Sequence, residues 1–117
     1  MRTFADADGG SHIEPGELKL GSKDFVPPAP PIDVSALQGA VSCGFLRVPA
    51  GYFGEWYPSP KRQWLFFLSG EIEFTMTDGT VYTGRPGSPV LLEDTTGRGH
   101  QTRVLGADAV MAAVQLA

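Results

Sequence analysis

Glu71-Ile72-Glu73-Phe74-Thr75-Met76-Thr77-Asp78-Gly79-Thr80-Val81-Tyr82-Thr83 is the stretch that decides the fold class. Residues 71–77 alternate polar and apolar, the period of a strand with one wet face and one buried face. Asp78-Gly79 is a two-residue hairpin signal, predicting a type I′ turn, and Val81-Tyr82-Thr83 is the returning strand. Working outward, Gly70 marks a tight bend, preceded by a strand from Gln63 to Ser69 and another from Val41 to Val48. Downstream, Arg85-Pro86-Gly87 is a turn. Strands follow from Pro89 to Glu93, His100 to Leu105 and Ala109 to Leu116. No segment carries a long helical period. Short strands punctuated by Gly and Pro predict an all-β barrel or sandwich.

The 117 residues suit one domain. Residues 36–117 are expected to form the barrel and residues 1–35 an N-terminal arm. The arm holds a predicted strand, Ser11-His12-Ile13-Glu14, continued by Glu17-Leu18-Lys19-Leu20 after a Pro-Gly step. Pro27-Pro28-Ala29-Pro30-Pro31 is read as extended, because proline fixes φ and lacks a donor. The formal net charge of −4 argues against nucleic acid as a partner, since phosphate binding needs a basic patch. Apolar runs are too short to span a bilayer, and acidic residues near the start oppose a signal peptide. The expected location is therefore cytoplasmic. Cys43 is the only cysteine, so no internal disulfide can form, and it reads as a small buried apolar residue rather than a nucleophile.

Two stretches carry a family resemblance. Gly51-Tyr52-Phe53-Gly54-Glu55-Trp56-Tyr57-Pro58-Ser59-Pro60-Lys61-Arg62-Gln63, then six residues and Gly70, resembles the first cupin motif without a gap. Gly87 to His100 resembles the second, with the loop Glu93–Gly99 longer by two residues and Val104 where that motif has Asn. Together they cover residues 51–104 and look like those of small bacterial cupins. The resemblance implies a single small double-stranded β-helix, or jelly-roll, barrel. Cupins that hold a metal use His, His and Glu from the first motif and His from the second. Those places here hold Tyr57, Ser59, Gln63 and His100. A Ser hydroxyl and a neutral amide are poor ligands, and one imidazole does not hold zinc or iron. No metal and no other cofactor is therefore expected. Rescue would need Glu55, Asp94 or His12 to swing in.

The same positions predict a pocket. Residues 57 and 59 share one face of an extended segment, as do Gln63, Leu65 and Phe67. Ile72, Phe74 and Met76 would also point inward, and His100 would face the cavity with Thr102. Arg47 is the cation nearest the mouth. The ligand-binding set is thus Tyr57, Ser59, Gln63, His100 and Arg47, suited to a compact, mostly apolar molecule with one carbonyl or carboxylate. A metal-free binding module is the first expectation. The second is a metal-independent isomerase, epimerase or lyase with His100 as base and Tyr57 as acid, the pairing that some cupin-like sugar epimerases use. Its requirement is a carboxylate behind the histidine, for which Glu93 and Asp94 in the loop are the candidates. A metal-dependent dioxygenase or isomerase is the third, disfavoured by the replaced ligands. Trp56 and Trp64 alternate away from the cavity. Trp64, Phe66 and Leu68 would then form an apolar outer face, and a homodimer is expected in which residues 11 to about 32 cover the partner.

Overall fold

The computed structural model describes residues 1–117. It contains β1 (Arg2–Ala5), β2 (Ser11–Glu14), β3 (Gly21–Lys23), β4 (Ile32–Val34), β5 (Ala40–Val48), β6 (Phe53–Tyr57), β7 (Gln63–Thr75), β8 (Val81–Gly84), β9 (Val90–Leu92) and β10 (His100–Leu116). Eight strands join one sheet in the order β2-β1-β9-β7-β10-β5, with β6 added along β10 and β8 along β7. No helix is long and apolar enough to cross a membrane.

Two long bent strands turn this sheet into a barrel. Residues 63–69 and 71–77 were expected as separate strands, as were 100–105 and 109–116. Instead each pair is one continuous strand, bent where a glycine takes positive φ: Gly70 at +77° and Gly106 at +75°. The bends are opposed, because the β7–β10 register shifts between Leu105 and Val110. A glycine bulge lets a strand change direction without losing its ladder on either side. One leaf combines β2, β1, β9, the first half of β7, the second half of β10, and β5. The other combines β8, the second half of β7, the first half of β10, and β6.

The alternation in the sequence fills the space between the leaves. Ile72, Phe74 and Met76 are buried, facing Leu65, Phe67, Val90, Leu92 and Met111. Phe67 meets Phe74 edge-on, 6.1 Å between ring centres. Gly84 is glycine for lack of room, since a Cβ there would lie 2.4 Å from the Phe67 ring. Each such side chain stabilises the fold by roughly 1.5–3 kcal/mol. The β7–β8 turn is one residue longer than a two-residue type I′ turn. Only Gly79 has positive φ, and the amide of Gly79 donates to the Met76 carbonyl while that of Met76 donates to the Thr80 carbonyl. This is a turn closed by a glycine bulge, with the Asp78 carboxylate capping the Thr80 amide.

The N-terminal segment departs from the expected arm. β1 pairs antiparallel with β2 and parallel with β9, so residues 2–14 belong to the barrel. Glu17–Leu20 forms no strand, and the proline run is the loop joining β3 to β4 rather than an extended segment. Only the β3–β4 hairpin pairs with no strand of the barrel, and residues 15–33 are exposed.

His12 staples this added edge to the β7–β8 turn. Its Nε2 donates to Asp6 at 2.6 Å and its Nδ1 to Asp78 at 2.9 Å. The Asp6 bond, then the Asp78 bond, hold the imidazole above its ordinary value of 6.5. Protonated His12 thus stabilises the fold fully below pH 6.5, and that contribution fades as pH rises through the raised folded-state value. The expected result is that His12→Gln lowers the melting temperature most in mildly acidic buffer and progressively less above neutrality. A gap between wild type and variant that stays constant from pH 5.5 to 9 would remove His12 from this role.

Candidate functional site

A cavity of about 340 Å³ opens between the leaves, within the size range of small-molecule sites. Its wall is mostly apolar, with Leu46, Leu65, Ile72, Phe74, Leu92 and Met111. Tyr57, Ser59, Gln63, His100 and Arg47, the five residues expected from the sequence, all line it, as does Thr102. β6 and β10 pair directly at Tyr57 and His100, which sets the two rings 5.8 Å apart.

His100 is 3% exposed and starts β10. Its Nδ1 lies 2.6 Å from Oδ2 of Asp94, which is fully buried. The other Asp94 oxygen accepts from the Thr3 hydroxyl at 2.7 Å. A carboxylate only accepts, so Nδ1 carries the hydrogen and the neutral ring presents its lone pair at Nε2. Nε2 has no protein partner and faces the cavity. The ring is further held edge-on by Phe74. Thr3 arrives from β1, and the Asp94 carbonyl accepts from the Ser59 amide. The loop is therefore clamped on both sides.

Between the two acidic candidates, the neighbouring Glu93 is otherwise engaged. It binds Arg2 and Arg62. Burial pushes its carboxyl up, but the two guanidiniums outweigh this and hold it below the usual carboxylate range.

The second polar group is a tyrosine pair. Tyr52 bonds to Tyr57 through the hydroxyls, which holds the Tyr52 phenol above its ordinary value. Gly54 makes the pair possible. A Cβ there would lie 3.1 Å from the Tyr52 hydroxyl and 3.2 Å from that of Tyr57. Sequence reasoning did not single out Tyr52; the signal was a glycine midway between two tyrosines. Thr3 left no local signal, being 91 residues from Asp94.

Gln63 donates to the Ser59 hydroxyl at 3.1 Å, and Ser59 donates to the Lys61 carbonyl at 2.7 Å. Tyr57, Gln63 and His100 thus belong to three separate hydrogen-bonded groups, not to one self-satisfied network. The Thr102 hydroxyl, buried among them, has no partner. Arg47, at the rim, forms no ion pair, whereas Arg2, Arg62 and Arg85 all do.

The donor set does not fit the metal that many barrels of this kind hold. The Ser59 hydroxyl accepts from Gln63 and donates to the Lys61 carbonyl, Tyr57 replaces an imidazole, and Asp94 is turned to Nδ1 rather than into the cavity. One imidazole nitrogen and one amide oxygen do not make a transition-metal site. Glu55 and His12 do not line the cavity.

No family model matches the chain, and no curated protein matches it in sequence. Solved structures do match in shape. DMSP lyase DddQ from Ruegeria pomeroyi DSS-3 is 20% identical, with a TM-score of 0.56 over 85% of this chain. Protein NMB1881 from Neisseria meningitidis is 15% identical, with a TM-score of 0.52 over 69% of this chain and 84% of its own. The chain spans about half of the DddQ structure, 47% of its length. These likenesses bear on the fold, which is a small, cupin-like, all-β barrel.

Proposed function

We propose that the barrel encloses a compact, mostly apolar molecule bearing a carbonyl or carboxylate, and that His100 acts on it as a metal-independent general base. The observation carrying this reading is the chain Thr3–Asp94–His100, which ends in an unpartnered Nε2 facing an apolar cavity. A carboxylate behind an imidazole orients the ring and stabilises the cation that forms when Nε2 takes a proton. The proton comes from a carbon next to the substrate carbonyl; the C–H electron pair forms a C=C bond as the carbonyl π pair moves onto oxygen. Tyr57, paired with Tyr52, hydrogen-bonds that oxygen. Return of a proton to the opposite face of that carbon, or to the former carbonyl carbon of a 2-hydroxy ketone, completes an isomerisation. An elimination, the reaction class in the name of DMSP lyase, begins with the same proton removal. Arg47 at the rim supplies a cation for a substrate carboxylate.

The test is carbon–hydrogen exchange in D₂O, followed by proton NMR with a panel of small 2-oxo acids and ketones. Wild type is expected to exchange the hydrogen next to the carbonyl in at least one compound, and to do so equally after dialysis against chelator. His100→Gln should lower the rate roughly 10²–10⁴-fold. Arg47→Gln should weaken the acids and leave the ketones unchanged. Elemental analysis should find well below one transition metal per chain. Thermal stabilisation by a compound without exchange would make the protein a binding module, and no shift with any compound would end the proposal.

A further inference from the structure

The chain carries two apolar surfaces that do not meet. One is the outer face of the leaf formed by β7, β10 and β5. Its cross-strand rows are Trp64–Val114–Cys43 and Phe66–Ala112–Phe45, and Phe45 is 76% exposed. β5 ends the sheet, nine residues long with an unpaired edge, the kind of edge that invites association. The other surface is the β3–β4 hairpin. Its two strands pair only with each other, and Leu20, Phe25, Val26 and Ile32 are open to solvent. The hairpin extends the molecule. The radius of gyration is 15.6 Å, against about 13 Å for a compact chain of this length.

We propose that a second copy of this chain covers the outer leaf, with the β3–β4 hairpin of each protomer laid across that leaf of the other. A groove of about 440 Å³ on this face, between Leu18 and Leu37 on one side and Trp64, Phe66 and Val114 on the other, receives the hairpin. The areas agree. Ten apolar side chains on hairpin, linker and leaf, between 39% and 78% exposed, offer on the order of 500 Å² per protomer, at roughly 60–120 Å² for each one fully covered. A stable interface buries about 800 Å² per partner, somewhat more than half of it apolar. With each hairpin on the other protomer's leaf about one two-fold axis, the exchange is reciprocal and closes at two subunits.

The test uses the full chain. Light scattering at tens of micromolar should give twice the 12.5 kDa chain mass. The double substitution Leu20→Asp with Phe25→Asp leaves the barrel untouched and should give the single-chain mass. Phe45→Asp, on the opposite side of the same contact, should do likewise. Cys43, exposed in the single chain rather than buried as its apolar run suggested, and covered in the dimer, reports independently. Its reaction with a thiol reagent should be at least tenfold faster in the hairpin variant than in wild type. A monomeric wild type, a dimer that survives both variants, or equal Cys43 reactivity in wild type and variant overturns the proposal.

Discussion

Asp94→Ala is expected to lower the melting temperature by roughly 10–25 °C, the loss of about 3–5 kcal/mol. The carboxylate is fully buried and accepts from both Thr3 and His100. Its removal strands a hydroxyl and an imidazole N–H away from water, and buried donors without acceptors are costly. Thr3→Val removes only the hydroxyl and should cost about 1–3 kcal/mol. The two effects should fall short of additive in the double variant, because the first already breaks the bond that the second removes. Asp94→Asn keeps the shape and an acceptor oxygen. It should recover part of the stability while leaving proton exchange as weak as in His100→Gln. Thermal melts decide the matter. An Asp94→Ala protein melting within about 2 °C of wild type would show that the chain of hydrogen bonds does not hold the site.

The other large effect is Gly99→Ala, expected to cost about 4 kcal/mol or more, enough to unfold a domain of ordinary stability at moderate temperature. Gly99 ends the loop that begins at Asp94. Its φ is +72°, and a Cβ there would lie 1.9 Å from the Tyr57 carbonyl oxygen. Backbone presses on backbone, so no rotamer change relieves the clash. Gly106 is the control. Its φ is +75°, nearly the same, yet nothing stands within 4 Å of its Cβ position. Gly106→Ala should therefore cost only the intrinsic penalty of the left-handed conformation, about 1–2 kcal/mol. Denaturant titration of the two variants separates crowding from conformation, and equal midpoints would contradict the distinction.

Much of the barrel was legible because burial on one face imposes a period of two. Ile72, Phe74 and Met76 could be placed from three residues of alternation. The convergence of Tyr57, Ser59, Gln63 and His100 came from motif spacing, which encodes which strand positions face inward. What spacing does not encode is contact between distant segments. The parallel pairing of β1 with β9 joins residues about 90 apart, and nothing in Thr3 itself announces its bond to Asp94. Asp94 was legible as a candidate beside Glu93, but two extra loop residues left its direction open. The choice was made by Arg2 and Arg62, which occupy Glu93. The bends at Gly70 and Gly106 were read as strand ends because a glycine that turns a strand and one that stops it look alike in sequence.

The reach of β10 has a consequence for how the chain is made. That strand borders β5, β6 and β7 at once, so the ladders of those earlier strands stay open until residues 100–116 leave the ribosome. Synthesis runs slower than strand pairing, so the nascent chain waits with its apolar edges bare. The residue that opens this strand is His100, so the imidazole reaches the Asp94 carboxylate in the same event that shuts the barrel.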